Sequence, residues 1–348
     1  MQIQRYSPSF KAQWDAFIST SRNGTFLFRR DFMDYHADRF RDHSLIFSDE
    51  KGWVAVLPAN EVRTEDTDGG EAVFHSHQGL TYGGFVLAPR VGTGCLMALF
   101  DMTRSYLHDA GFKLWRYKQV PYIYHRQPAE DDEYALWRIG AQLSVCNIAT
   151  AIDLRSPLQA PMEERRGRGK RRAARLGYGV RRLTNPDELG RYWPVIEENL
   201  RSCHDTRPVH SCQEMQLLMR RFPENIKVWV ADARPAAPER HDGEDRHDMQ
   251  PLQGCGATES GIIVVFEADA VAHSQYPHAT EQGKKDGVMD LLFLHVLEEY
   301  KKERPSLRYF DFGISNEQGG RFLNEGLQAQ KEGFGAHGVA YRQWSIPV

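Results

Sequence analysis

The sequence predicts an α/β fold of layered sheets and helices, divided between two domains. Three observations support this prediction. The chain has 348 residues, which is more than one ordinary domain of about 100–200 residues holds. Its 41% hydrophobic and 11% aromatic residues are enough to bury two cores. Segments with strand-like and helix-like hydrophobic spacing alternate along the chain, an order typical of α/β layers.

The first half predicts strands interrupted by helices. HSLIFS and WVAVLPA are two strands joined as a hairpin by a turn at Asp49–Gly52. Residues 8–19 carry apolar side chains at helical spacing, at Phe10, Trp14, Phe17 and Ile18. Further helices are expected over 29–39, 95–110 and 130–139, and further strands in QIQRY, AVFHS, GGFVLA, KLWRYKQV and LSVCNIATAIDL.

The second half repeats this plan over a similar length. GIIVVFE and AVAHSQYP form a second hairpin, and the strongest helical pattern covers residues 284–303. A stretch at about 234–259 is rich in proline, glycine and charge, which predicts a mobile surface insertion between two strands. The boundary is expected near Leu154–Pro161, which gives domains of 1–154 and 155–348. Other helices are expected over 160–176, 186–201 and 212–221, and other strands in GVRRL, IKVWVAD, YFDFG and VAYRQWSI.

Composition and charge restrict the classes of function. A net charge of −3 argues against a general binder of polyanions. The N-terminal segment MQIQRYSPSFKAQWDAF lacks the apolar core of a signal peptide, and no stretch approaches the roughly 18 apolar residues of a spanning helix. The five cysteines are scattered and form no CxxC pair, as expected for reduced thiols. We therefore expect a soluble, cytoplasmic protein without a membrane span or a metal.

Several segments resemble the GNAT superfamily, in particular the tandem-domain branch similar to Fem-type aminoacyl transferases. The segments are KRRAARLGYGV, YPHATEQGKKDGVMDLLFLHVL, YFDFGIS and QKEGFG in the second half, and NGTFLFRRDFMDYHADRF and HSHQGLTYGG in the first. The resemblance implies two tandem GNAT-like domains, each a mixed, mostly antiparallel sheet flanked by helices. It places the donor site in the second domain and makes the first a degenerate, acceptor-side domain.

The loop before the 284–303 helix is the candidate donor site. Backbone N–H groups and the positive end of a helix dipole attract phosphate, and glycines allow close approach. Where usual GNAT enzymes carry Arg/Gln-x-x-Gly-x-Gly/Ala, this chain has Gln282-x-x-Lys285-x-Gly287, without the middle glycine. An ordinary glycine-containing turn is the alternative. The candidate cofactor-binding residues are Gly283, Lys284, Lys285, Gly287 and, in the late lysine-containing turn, Lys331.

Candidate catalytic and acceptor-binding residues lie in four other segments. Asp311 ends a predicted core strand, where a carboxylate either orients a reacting group or caps the next turn. In GNAT-type chemistry a glutamate or water serves as base and a tyrosine as acid, roles assigned here to Glu267 and Tyr276. His204 is a candidate base in a polar loop that resembles the acceptor-side loop of the family. The candidate substrate-binding residues are Gln78, Tyr82, Arg207 and His210, with a structural turn or plain polar loop as the alternative.

A basic run between residues 165 and 182 holds nine cations in eighteen positions and no acid. It is a localised positive patch in a slightly acidic chain. Such a patch binds a tRNA backbone or the phosphates of coenzyme A or a nucleotide-linked sugar. The alternative is a solvated helix face at the domain junction. The run lacks interleaved aromatic residues, so it does not indicate stacking on single-stranded bases.

Together the residues and the resemblance predict an N-acyltransferase. It would move an acyl group, acetyl being the expected one, from acyl-CoA (acetyl-CoA) to a primary amine of a small molecule or an envelope or polysaccharide precursor. The first alternative is a Fem-type transferase that takes an aminoacyl group from tRNA. The second is a non-catalytic module that binds a nucleotide-linked sugar or a partner protein.

Overall fold

A computed structural model describes residues 1–63, 72–158, 160–233 and 258–348, without the side chains of Cys203 and His204. The insertion predicted at about 234–259 lies outside the described residues except for its last two positions, which open a strand.

Seventeen strands and ten helices are described. The strands of the first half are β1 Gln2–Arg5, β2 Arg41–Asp42, β3 Leu45–Asp49, β4 Gly52–Leu57, β5 Asn60–Val62, β6 Val73–His75, β7 Val86–Leu87, β8 Leu114–Lys118 and β9 Gln142–Asp153. Those of the second half are β10 Tyr178–Leu183, β11 Ile226–Ala233, β12 Thr258–Glu267, β13 Val271–Ala279, β14 Tyr309–Ile314, β15 Asn316–Glu317, β16 Phe322–Leu323 and β17 His337–Pro347. The helices are α1 Lys11–Thr20, α2 Arg30–Met33, α3 Thr93–Asp109, α4 Asp131–Arg138, α5 Glu164–Arg175, α6 Leu189–His204, α7 Cys212–Arg221, α8 Glu281–Asp286, α9 Val288–Glu303 and α10 Glu325–Glu332.

One sheet of eleven strands runs through both halves of the chain, in the order β10-β11-β12-β13-β14-β9-β17-β8-β6-β5-β2. At its centre the two halves exchange their last strands. Strand β9 ends the first half but pairs with β14 of the second, and β17 ends the chain but pairs with β8 of the first. The two exchanged strands also pair with each other. A smaller sheet, β1-β3-β4-β7, lies in the first half.

The same local arrangement occurs once in each half. Strand β6 and, after helix α3, strand β8 are parallel neighbours, as are β13 and, after α8 and α9, β14. All other strand pairs described are antiparallel. The prediction of a mixed, mostly antiparallel α/β fold is confirmed.

The large sheet is buried on both faces in the second half. Val228 and Val230 of β11 pack in a core with α6 and α7, while Trp229 and Ala231 pack in another with α9. Successive residues of a strand point to opposite faces, so a strand covered on both faces is apolar at every position. This explains the continuous hydrophobic run VWVA from Val228 to Ala231.

Two predicted helices differ from the structure, and one helix of the structure was not predicted. The helix predicted over 284–303 is broken at Gly287, which has φ +89°, into α8 and α9. The helix predicted over 29–39 is only the four-residue α2 followed by a short 3-10 turn at Asp34–His36. Helix α10 was not predicted, because its eight residues are mostly polar and follow several glycines.

Candidate functional site

A cleft opens where the parallel strands β13 and β14 separate. They pair at only three positions, from Val271 opposite Tyr309 to His273 opposite Asp311. Beyond His273, no described strand pairs with β13 on this side. A cleft of about 870 Å³ occupies the gap. It is lined by residues of both halves, because the exchanged strands β9 and β17 and strand β8 lie beside β14.

A buried carboxylate lies under the wall of this cleft. Asp311 is fully enclosed, and its Oδ2 accepts hydrogen bonds from the hydroxyls of Tyr124 (2.9 Å) and Tyr341 (2.5 Å) and from Nδ1 of His273 (2.9 Å). Its Oδ1 accepts the backbone N–H of Gly313 at 2.8 Å. Burial alone would raise the pKa of Asp311, but His273, Tyr341 and Gly313 outweigh it and hold the pKa below its ordinary value.

The bond to Asp311 fixes the tautomer of His273. An ionised carboxylate can only accept, so Nδ1 carries the hydrogen and Nε2 keeps its lone pair. His273 lines the cleft, and its side chain is 13% exposed. The arrangement is therefore a histidine oriented by a buried carboxylate and able to take a proton at Nε2.

Two lysines also line the cleft. Lys331 of α10 is 6% exposed and donates to the carbonyl oxygens of Gly313 (2.8 Å) and Ile314 (2.6 Å). Lys118 of β8 donates to the carbonyl of Leu80 at 2.7 Å. Burial lowers the pKa of each ammonium to about 8. Through its two hydrogen bonds Lys331 holds the last residues of β14 at the edge of the cleft.

Tyr276 of the cleft wall is hydrogen-bonded to His210, which lies behind it. Tyr276 lines the cleft, and its hydroxyl lies 2.7 Å from Nδ1 of His210. Burial lowers the pKa of His210 to about 4, so the ring is neutral, and its tautomer determines which partner donates in the bond to the tyrosine hydroxyl. Burial also raises the pKa of Tyr276. The imidazole of His210 and the phenol of Tyr276 are therefore both uncharged near neutral pH.

The start of α9 also borders the cleft. Gly287 adopts φ +89° there, and a Cβ at this position would lie 2.5 Å from the carbonyl oxygen of Gly169 in α5. Asp290, in the first turn of α9, forms a 2.6 Å ion pair with Arg166 of α5. Lys284, Gly287, Asp290 and Arg166 all line the cleft. Helix α5 and the carboxylate of Asp290 therefore partly cover the helix end that was expected to hold phosphate.

Most of the basic run is engaged in ion pairs within the protein. Besides Arg166, Lys170 pairs with Glu298 at 2.5 Å, Arg168 with Glu164 at 3.2 Å and Arg181 with Glu188 at 2.8 Å. Arg172 lies 3.6 Å from Asp286. Arg166 is the member of the run that lines the cleft.

The structure brings together only part of the predicted site. Tyr276, Lys284, Gly287 and Lys331 line the cleft, and Asp311 lies under its wall. Gln78 and His210 line a second, adjoining cavity.

The other predicted residues lie elsewhere. Glu267 is buried at the end of β12, where it pairs with Arg304 at 2.7 Å and accepts the hydroxyl of Tyr300 at 2.8 Å. Tyr82 is a core side chain, 2% exposed, that donates to Thr25 at 3.2 Å. Gly283 is buried within α8, Lys285 and Arg207 are exposed, and none of the three lines either cavity. The side chain of His204 lies outside the described residues.

Three residues of the Asp311 cluster were not predicted. His273 stands in a strand-like segment, Tyr124 follows a proline-containing turn, and Tyr341 lies in the closing strand. The sequence held one signal for His273. It stands on the strand before the strongest helix, and Asp311 stands on the strand after that helix.

The first half carries a different pair at the corresponding position. His75 of β6 stands opposite Arg116 of β8, as His273 stands opposite Asp311. Burial lowers the pKa of His75 to about 4, with Lys118 and Arg116 acting in the same direction. Neighbouring cations disfavour the protonated form of His75, whereas the carboxylate of Asp311 favours that of His273.

Two further surveys cover the described residues. No group of three or more histidine, cysteine, aspartate or glutamate side chains there is placed to hold a metal ion. No described helix is both long enough and apolar enough to cross a membrane.

Comparison with known proteins identifies the fold. No family model matches the sequence, and no curated protein matches it significantly. Among solved structures, FemX has a TM-score of 0.70 at 10% identity, covering 100% of this chain and 98% of that one. L-PGS from Bacillus licheniformis has 0.57 at 12% identity, with 98% and 92% covered. A tandem GNAT protein from the clavulanic acid biosynthesis pathway has 0.51 at 14%, with 99% and 98% covered.

Proposed function

We propose that this chain, which has the tandem fold of GNAT and Fem-like proteins, is an N-acyltransferase. It transfers an acyl group, acetyl in the simplest case, from acyl-CoA to a primary amine of a small molecule or an envelope or polysaccharide precursor. The observation that carries the proposal is the cleft between β13 and β14 with the His273–Asp311 pair in its wall. The fold alone does not give this function, so the proposal rests on the site.

In the proposed reaction the amine nitrogen attacks the thioester carbonyl. His273 Nε2 takes the proton that the attacking nitrogen loses, and Asp311 stabilises the imidazolium that forms. When the C–N bond is complete, the C–S bond breaks and His273 returns the proton to the departing sulfur. Amide and free thiol are the products, and no covalent enzyme intermediate is needed.

The edge of β13 supports the oxyanion in this scheme. Its cleft side has no described strand partner beyond His273, so its backbone N–H groups are available there. Lys284, which pairs with Glu281 at 2.7 Å, and Arg166, which pairs with Asp290, are the cations proposed to meet the donor phosphates.

Aminoacyl transfer from tRNA is the second candidate. Helix α5 lies over Gly287, and Asp290 occupies the first turn of α9, which both disfavour a pyrophosphate at that helix end. A tRNA donor can be bound along its phosphate backbone and does not need a phosphate site at the start of α9. The exposed cations of α5, Arg171 and Arg175, face solvent and are available to such a donor.

Mass spectrometry of ligands that copurify with the chain tests the donor class, and coenzyme A is the expected finding. A second arm compares retention on immobilised coenzyme A with binding to tRNA across a salt series. Steep salt dependence with tRNA, together with no retention on coenzyme A, reverses the ranking of donors.

Turnover of acetyl-CoA with a panel of primary amines tests the transferase itself. Lys284→Ala is expected to raise KM for the donor, and Lys302→Ala, an exposed lysine in the last turn of α9, serves as the charge-matched control. If Lys284→Ala, Lys285→Ala and Asp311→Asn all leave turnover intact, the non-catalytic binding module becomes the better explanation.

A further inference from the structure

The charges that line the cleft do not match a simple alkylamine. Among the described residues of its lining, five carry a positive charge and one carries a negative charge. The cations are Lys118, Arg166, Lys284, Lys331 and Arg342. The one carboxylate, Asp290, is engaged with Arg166 at 2.6 Å. A primary amine is itself a cation near neutral pH, so this lining offers its ammonium no free counter-charge. Another part of the acceptor therefore has to supply the attraction.

Lys118 is a cation of the cleft to which the protein gives no counter-charge. It donates to the carbonyl oxygens of Gln78 at 3.0 Å and Leu80 at 2.7 Å, and it forms no ion pair with a carboxylate among the described residues. Burial lowers the pKa of Lys118 to about 8, and no acid acts in the opposite direction. An ammonium has three N–H groups, so one remains for a ligand. A desolvated charge without a counter-ion is unfavourable, which makes an anion the matching ligand.

Lys118 lies on the other side of the His273–Asp311 pair from the proposed donor phosphates. Helix α9, whose start borders the cleft, packs against strands β10 to β13. Lys118 stands on β8, and in the sheet order β13-β14-β9-β17-β8 the pair lies on the first two strands. A donor with its phosphates beside α9 and its thioester at His273 therefore leaves the side of β9, β17 and β8 to the acceptor.

Strand β9 adds a fixed hydrogen-bond donor on this acceptor side. Asn147 lines the cleft opposite Tyr341 of β17, whose hydroxyl binds Asp311 at 2.5 Å. The backbone N–H of Ile148 donates to Oδ1 of Asn316 at 2.6 Å, and Nδ2 of Asn316 donates to Oδ1 of Asn147 at 2.8 Å. Because a backbone N–H can only donate, this chain fixes the orientation of both amides. Nδ2 of Asn147 has no partner among the described residues and is not enclosed, so it is left for a ligand.

An unpaired ammonium and a fixed N–H group favour the same kind of ligand. A carboxylate or a phosphate brings negative charge to Lys118 and an oxygen that accepts from Asn147. Hydrogen bonds to such ionised oxygens are stronger than those between neutral groups. A plain alkyl chain uses neither side chain.

We propose that the acceptor carries an anionic oxygen group, a carboxylate or a phosphate, besides its primary amine. Lys118 supplies the counter-charge of that group, and Asn147 donates to one of its oxygens and so determines specificity for it. This inference rests on the proposed function, since it assigns the acceptor of that same site.

Calorimetry on the full chain, without any acyl donor, measures the binding of matched amines. ω-Amino acids with three to eight carbon atoms are compared with ω-aminoalkyl phosphates and n-alkylamines of the same lengths. We expect the best anionic amine to bind roughly tenfold or more tightly than the n-alkylamine of its length, as the value of one hydrogen bond to a charged group. The two anionic series show whether carboxylate or phosphate is preferred.

Asn147→Asp is the decisive variant, because it keeps the oxygen that accepts from Asn316 and replaces the free N–H₂ group by a negative charge. It is expected to weaken binding of the anionic amine by roughly tenfold or more and not to weaken binding of the n-alkylamine. Asn185→Asp, at an exposed helix N-cap outside the cleft lining, makes the same charge change and leaves both affinities unchanged. Lys284→Ala, beside the proposed donor phosphates, also leaves them unchanged.

The wild-type comparison overturns the proposal without any variant if n-alkylamines bind as tightly as the anionic amines at every length. A loss of affinity in Lys284→Ala but not in Asn147→Asp places the anion beside α9 and also overturns it. Acylation assays with acetyl-CoA separate this inference from the proposed function. Anionic amines that bind but are never acylated contradict the transferase, whereas equal acylation of n-alkylamines and anionic amines contradicts the acceptor assignment alone.

Discussion

At the scale of single residues, the charge on Asp311 is the feature on which the site depends. A carboxylate removed from water keeps its charge only when hydrogen bonds replace its hydration. Here two tyrosine hydroxyls, one imidazole and one backbone N–H do so. The same bonds orient His273 toward the cleft. Structural support and proposed catalysis therefore come from one cluster.

Asp311→Asn is expected to lower kcat by roughly 10²–10⁴-fold while KM changes little, because the amide no longer fixes the required tautomer of His273. Steady-state kinetics over a range of pH measure this effect and show whether the basic group of the pH profile is lost. Asp232→Asn is the control, since Asp232 also accepts a tyrosine hydroxyl, that of Tyr192 at 2.6 Å, but does not line the cleft. Wild-type kcat in Asp311→Asn would contradict the role given to His273.

The buried ammonium of Lys331 makes stability depend on pH. Its pKa is about 8 in the folded chain and about 10.4 when unfolded, so between these values the unfolded state binds more protons. Stability therefore rises with pH across this window as the cost of the buried charge disappears.

We expect the stability of the wild type relative to Lys331→Met to rise by about 2 kcal/mol between about pH 7.5 and 9.5. Urea unfolding of both proteins at several pH values measures the difference. Lys302→Met, at an exposed lysine, is expected to show no such trend. A flat difference for Lys331→Met would mean that its ammonium is not desolvated in the folded chain.

At the scale of elements, Gly287 separates two helices that the hydrophobic pattern joins. Its positive φ is one that side chains rarely adopt, and a Cβ would meet the backbone of Gly169. The resulting break lets α5 cross close to the start of α9 and brings Arg166 to Asp290. The end of the cleft is thus shaped by Gly169 of α5 and by Gly287 between α8 and α9.

Gly287→Ala is expected to destabilise the fold by about 2 kcal/mol or more, from the unfavourable φ and the contact with α5. Gly94→Ala is the control: Gly94 lies inside α3, and a Cβ there meets no atom within 4 Å. That change should stabilise by about 0.5–1 kcal/mol. The Tm of both variants, measured by thermal unfolding, tests these expectations. Equal Tm shifts would show that the break at Gly287 is not required.

At the scale of the whole molecule, the exchanged strands β9 and β17 tie the two halves together. Because β17 lies between β8 and β9, the sheet of the first half is completed by the last residues of the chain. The predicted boundary at residue 154 stays a prediction: it divides the chain between elements but cuts through a continuous sheet.

A fragment of residues 1–154 is expected not to unfold cooperatively by itself, since β8 and β9 would expose the edges that β17 covers. Circular dichroism during heating measures this. Adding a peptide of residues 336–348 is expected to restore a cooperative transition. Cooperative unfolding of the fragment alone would show that the first half is an independent domain.

The sequence by itself determined the type and order of most elements and the fold class. These follow from local hydrophobic spacing: the two hairpins, α3 and α7 are where the pattern predicts them. The glycine-containing loop before an apolar helix is also a local signal, and the donor site predicted there stays a prediction.

Only the tertiary structure decided which side chains meet. Tyr124, His273, Asp311 and Tyr341 are up to 217 positions apart, and strand pairing brings them to one carboxylate. It also decided that Glu267 neutralises Arg304 away from the cleft and that Arg166 and Lys170 of the basic run pair with acids 124 and 128 positions away. The hydrophobic periodicity of the sequence shows which face of a helix or strand is buried. A site depends instead on which buried faces become neighbours. In this protein the exchange of strands between the two halves determines those neighbours.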